Sequence, residues 1–300
     1  MGLLARITAA FLLASSLSAS PTPAGPTAPT GKLPLQLNGQ RGFGGPYHLS
    51  VGLRGELFVL DRGSALLYRI SPADGAVMWR IDGSESGQPF IDPASLSRPD
   101  GFFINLTDRG SRKIWRIDYR GEVRGSLDLS FAADPVMLEL TGGSQMVLYD
   151  RASSKLYLLD DSGRPLWSFP VGAGRNTAEP RDMSVSADGG TLYLLWADPP
   201  GITTVNLFGR NSSEIPLELP EARPALLAAT TDSSGRQLLC LADPGGAAFT
   251  LEPLSGTLAG LPLELGQVWD IRARPGQPGK ILILSGPEPS VLEIELEMGE

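Results

Sequence analysis

The chain has one cysteine, Cys240, and one histidine, His48. A solitary thiol excludes an intramolecular disulfide. A solitary imidazole excludes zinc sites built on two or three histidines, and a Ser-His-Asp triad would have to use His48. Basic residues are outnumbered: 25 Lys and Arg face 33 Asp and Glu, for a formal charge of −8 and a pI near 4.9. With no Lys/Arg-rich run, such a surface repels a phosphate backbone, so nucleic acid is not expected as a partner. There is no P-loop, no CxxC and no GxGxxG leading into a helical pattern. No apolar run reaches the roughly 20 residues that a membrane-spanning helix needs.

Glycine and proline are plentiful, 36 and 26 of 300 residues. Inside a helix they cost about 1 and about 3 kcal/mol against alanine. That load suits many short strands joined by many turns.

The N-terminus stands apart. "MGLLARITAAFLLASSLSAS" has one early cation, Arg6, then an apolar stretch over 7–14, then small residues. It reads as a secretory signal peptide over 1–19, cleaved after Ala19 or somewhat later. "SPTPAGPTAPTG" (20–31) reads as a disordered tether. The folded part is expected over 32–300, in a periplasmic or extracellular protein.

That folded part repeats. An apolar run ends at Asp61, Asp108, Asp150, Asp198 and Asp243, with Ser285 in the sixth place. Upstream stand Pro46, Pro93, Pro135, Pro180 and Pro224, with Val268 sixth. Both landmarks recur every 42 to 48 residues. Each unit holds a strand after Pro, a Gly turn, a strand ending at Asp, a polar turn and two more strands. Four strands in about 45 residues, six times over, predict an all-β six-bladed β-propeller. The last unit lacks its fourth strand, and "KLPLQL" (32–37) is a spare strand before the first. The N-terminal strand is therefore expected to close the last blade.

"PYHLSVGLRGELFVLDRGSALLYRISPADG" (46–75) resembles the NHL repeat: Pro, short apolar strand, Gly turn, apolar strand ending in Asp, polar turn, strand. "LYRISPADGAVMW" and "LYLLDDSGRPLW" also resemble the Trp-containing repeat of quinoprotein-type propellers. Both resemblances imply the fold; propellers host many unrelated tasks.

A residue that recurs in every blade is expected to serve structure. Asp61, Asp108 and Asp150 read as turn formers. Tyr68, Trp115 and Tyr157 on third strands, with Trp79 and Trp167 on fourth strands, read as packing between blades. Cys240, in "QLLCLA", reads as core.

The strand after Pro is innermost in a propeller, and its start opens at a channel mouth. Residues brought there are the ligand-binding candidates: Tyr47, His48, Asp92, Asp134, Glu179, Arg181, Asp182, Arg223, Trp269 and Asp270, with Ser95 beside them. Arg181 and Arg223 suit an anionic group, and Tyr47 and Trp269 suit a ring. Asp134, Asp182 and Asp270 are the candidate oxygens for a calcium-type ion; no other cofactor is expected. The leading reading is an extracytoplasmic binding or scaffold protein that takes a protein partner or a small polar ligand, more plausibly not an enzyme. The alternative is a metal-dependent hydrolase or lyase at the mouth, as in lactonase-type propellers. That family's metal-binding Glu in "Glu-Gly-Pro" is replaced here by Gly44.

Overall fold

A computed structural model describes residues 31–35, 47–175, 179–219, 223–261, 263, 265–286 and 289–296. The expected signal peptide and nearly all of the tether lie outside them. So do Gly44 and Pro46.

Six four-stranded antiparallel sheets form the blades. After β1 (Gly31–Pro34), blade one is β2 to β5: Tyr47–Val51, Leu57–Asp61, Leu66–Ile70 and Val77–Ile81. Blade two is β6 to β9: Pro93–Leu96, Phe103–Asp108, Lys113–Asp118 and Val123–Asp128. Blade three is β10 to β13: Pro135–Leu140, Met146–Asp150, Lys155–Leu159 and Pro165–Pro170. Blade four is β14 to β17: Asp182–Val185, Thr191–Ala197, Pro200–Asn206 and Asn211–Pro216. Blade five is β18 to β21: Leu226–Thr231, Gln237–Ala242, Ala248–Glu252 and Thr257–Leu261. Blade six is β22 to β24, Val268–Ala273, Lys280–Ser285 and Ser290–Glu295, with β1 as its outer strand. One short 3-10 turn, Ser84–Ser86, is the helical element among the described residues.

Hydrophobicity explains the radial order. Second strands such as "LFVLD" and "MVLYD" are buried along their whole length, because neighbouring blades cover both of their faces. Outer strands such as "PLWSFP" alternate between exposed and half-buried. The core is split into six clusters, each lying between two adjacent blades. Leu49 and Val59 of blade one meet Leu282, Leu284 and Val291 of blade six. Leu156 of blade three meets Leu192 and Trp196 of blade four. Cys240 lies buried between blades five and six, where burial pushes its thiol up to about 12.

Closure follows the expected route. β1 runs antiparallel to β24, Leu33 opposite Val291, and Leu35 N–H donates to Pro289 O at 3.0 Å. The strand starts one residue earlier than the sequence predicts, so Gly31 belongs to the sheet. An outermost strand needs few side-chain contacts, which lets Gly31 and Pro34 serve there.

The Asp landmarks act as turn formers. The Asp108 carboxylate accepts from the backbone N–H of Ile91 and Asp92, both at 2.9 Å, and of Gly110 at 3.0 Å. Asp61 accepts from Gly63 N–H at 3.1 Å, and Asp150 from Asp134 N–H at 2.6 Å. Blade four departs from the spacing. Asp61, Asp108 and Asp150 pair across their hairpins with residues five positions on; in blade four the pair with that separation is Trp196 and Gly201. Trp196 therefore holds the landmark place, and Asp198 lies in the turn. The polarity of the contact is inverted as well. Asp108 accepts from Trp115 Nε1 at 3.3 Å, whereas Trp196 Nε1 donates to Thr203 Oγ1 at 2.8 Å. The recurrent aromatics pack as expected: Trp115 sits in the cluster between blades one and two, with Trp79 against it.

Candidate functional site: the central channel

The innermost strands each leave one edge unpaired along the axis, and such an edge presents free N–H groups. Side chains of adjacent blades satisfy several of them. Asp270 of blade six accepts from Leu49 N–H of blade one at 2.7 Å. Asp182 of blade four accepts from Leu227 N–H of blade five at 2.8 Å, and Ser184 Oγ from Ala229 N–H at 3.0 Å.

One guanidinium joins these carboxylates. Arg272 lies 3.3 Å from Asp270 and 3.5 Å from Asp182, and its Nε donates to Leu49 O at 3.2 Å. Burial opposes its charge, but the pull of Asp270, Asp182 and Glu139 outweighs that, so its pKa is raised. Burial pushes Asp182 up, with Arg272 pulling the other way. His48 Nδ1 stands 3.5 Å from Asp270 and has no hydrogen-bond partner.

At the starts of the inner strands the candidates are dispersed. Asp92 pairs with Arg109, and Asp134 with Arg151 at 2.6 Å; Glu179 is 3.4 Å from Arg151. Arg181 and Arg223 are exposed where blades four and five begin. Tyr47 and Trp269 do not stand open to a ring. They pack edge to face, centroids 5.1 Å apart, in the core between blades six and one. Asp182 and Asp270 do converge, on Arg272, whereas Asp134 is held at Arg151. Among the described residues no group of three or more His, Cys, Asp or Glu is arranged to hold a metal ion.

The concavity lies at the other end. A cavity of about 340 Å³ opens where the inner strands finish, lined by Ser50, Arg98, Glu139, Ser184, Thr230 and Arg272. A second concavity, of about 390 Å³, lies beside β1 and gathers only Lys32, Arg274 and Glu293 as charged groups. Arg274 already pairs with Glu293, so the channel cavity is the better site.

Glu139 decides its character. Its side chain makes no hydrogen bond or ion pair among the described residues. Burial pushes its carboxyl up to about 7; Arg272 and Arg98 pull it down, Asp182 and Asp270 push it up. A carboxyl with a higher pKa folded than unfolded stabilises the fold most when protonated. The contribution is full below the ordinary carboxyl value of 4.5 and is lost as pH rises through about 7. Glu139→Gln stays neutral, so its denaturation curve is expected to match wild type near pH 4.5. By about pH 8 it should be more stable, by roughly 1–3 kcal/mol.

Residue periodicity hides this site. Along β10 and β22, Glu139 and Arg272 come four places after Pro135 and Val268. Asp182 and Asp270 come two places after their own landmarks. Period two returns a side chain to the channel face, but the repeated landmark marks only the strand starts. Arg98 follows β6 directly and carries no repeat signal.

Comparison with known proteins establishes the architecture. The chain shares its propeller fold with solved structures. Virginiamycin B lyase from Staphylococcus aureus superposes with TM-score 0.60 at 13% identity, covering 89% of this chain and 98% of that one. A streptogramin B lyase gives 0.60 at 16%, covering 83% and 78%. Hydrazine synthase from Kuenenia stuttgartiensis gives 0.58 at 13%, covering 84% and 77%. No family model matches the chain, the NHL repeat included, and no curated protein matches it.

Proposed function

We propose that this chain is an exported propeller that binds a small polar molecule in the cavity at the far end of its channel. The observation carrying this reading is Glu139, a shielded carboxyl with no partner among the described residues, in a cavity shared with Arg98 and Arg272. A ligand with a hydrogen-bond donor facing Glu139 and an anionic or acceptor group facing Arg98 satisfies both. Zwitterionic molecules of amino-acid size fit that pattern and that volume. A thermal-shift screen of free amino acids tests it. Binders should raise the melting temperature of wild type and lose that effect in Glu139→Ala and Arg98→Ala. Hits that persist in both variants would overturn the cavity reading.

Glu139 supports a second reading, a lyase-type activity. A carboxylate with pKa near 7 is poised to take a proton at neutral pH. The fold is shared with enzymes named as lyases, one of which is described as catalytically inactive with a histidine replaced by alanine. The only histidine here, His48, is outside the cavity lining, so this chain would rely on Glu139. Elimination from a bound ligand should then rise with pH through about 7 and vanish in Glu139→Gln.

A calcium-type ion at Asp182 and Asp270 would have to displace Arg272. Chelation is therefore expected to leave melting unchanged. Export is tested by N-terminal sequencing: the mature chain should begin between about residue 20 and residue 26. Recovery of only full-length chain from the cytosol would overturn it.

A further inference from the structure

The channel cavity is not uniform around its axis. Distance along an inner strand sets depth. Glu139 and Arg272 each stand one residue before their strand ends. Arg98, Leu53 and Pro275 stand two residues past the ends of β6, β2 and β22, so they lie nearer the rim. Charge gathers on the side of blades two and three. There Arg98 Nη2 donates to Thr141 O at 3.1 Å, which holds it beside the blade that carries Glu139. On the side of blades six and one the lining includes Leu53, Pro275 and Pro278. Their neighbour Arg274 is already paired with Glu293.

Leu53 is 65% exposed. A single exposed leucine needs no explanation. One that lines a cavity beside two prolines makes an apolar wall, from which an apolar guest displaces water favourably. The wall is also preformed. In the turn that carries Leu53, Gly52 N–H donates to Glu56 O at 2.8 Å and Gly55 N–H to Gly52 O at 2.9 Å. The loop that carries the prolines is tied to blade five, where Gly279 N–H donates to Thr231 O at 2.6 Å. Both turns are set by the protein's own hydrogen bonds, so a guest need not pay to order them.

We propose that this apolar wall takes the side chain of the guest and that Leu53 sets the selectivity of the cavity, an inference that rests on the reading given for Glu139. With the ammonium of an amino acid at Glu139 and its carboxylate at Arg98, the side chain projects toward blades six and one. The class selected is amino acids with an apolar side chain of about leucine's size, over polar isosteres. An apolar side chain gains by leaving water. The amide of asparagine has nearly the same shape, but it gives up hydrogen bonds to water that the side chains of a leucine and two prolines do not return.

Calorimetric titration with L-leucine and with L-asparagine tests it. Wild type should bind leucine about tenfold or more tightly than asparagine. Leu53→Asn should fold as wild type does, since the position is an exposed turn that suits asparagine. In that variant the gap between the two ligands should close to within about twofold, through weaker leucine binding. Leu53→Ala carries the same expectation if the first variant does not fold. A gap that persists in the variant would overturn the proposal. So would asparagine binding wild type as tightly as leucine; Gln277, between the two prolines, would then set the character of the wall, and the Glu139 reading would stand. Binding of neither ligand by wild type up to about 10 mM would overturn both.

Discussion

An Arg272→Met chain is expected to be less stable than wild type by about 3–5 kcal/mol, measured by urea denaturation. Two acids, Asp182 and Asp270, are buried around this single guanidinium. Removing it leaves both charges shielded from water with only backbone N–H groups to hold them. Methionine fills the volume but compensates no charge. The loss should shrink as pH falls, because protonation removes the uncompensated charge, and Asp182 already sits high. Adding Asp270→Asn to Arg272→Met should recover part of the loss, since an amide needs no counter-ion. A loss under about 1 kcal/mol would mean that the inner ring is held by its backbone contacts and that the ion cluster is incidental.

Deleting residues 31–35 from the mature chain should cost about 3–5 kcal/mol, or roughly 6–15 °C in melting temperature for a domain of this size. Deleting 20–30 should cost almost nothing. β1 contributes four paired residues and the half-buried Leu33 and Leu35, which pack against the cluster joining blades six and one. Without them β24 becomes a bare outer edge, with the hydrogen-bonding groups of an unpaired strand. Blade six would then have three strands. The shortened chain should also aggregate at lower concentration. Equal melting temperatures for the two deletions would show that the ring closes by blade-to-blade packing alone.

The fold was legible because each blade repeats two landmarks, and a repeat survives local exceptions. Blade four shows how an exception misleads: Asp198 keeps the spacing within tolerance, yet Trp196 takes the structural place, because a hairpin is defined by pairing and not by the nearest Asp. The site was legible only in part. Asp182 and Asp270 were found through the Pro landmark, but their partner Arg272 is one strand repeat further along and has no signature. Tyr47 and Trp269 flank the landmark in sequence, yet their rings pack in the cluster between blades six and one instead of lining the channel.

The cavity lining reaches Arg272 but includes none of Tyr47, His48 or Trp269. On that side the channel is thus a cup with an ionic floor. Cargo entering it is expected to leave by the same rim. Its wall carries a carboxyl that shares a proton near neutral pH, and its floor a guanidinium that keeps its charge. A guest is then held between one group that answers to pH and one that does not.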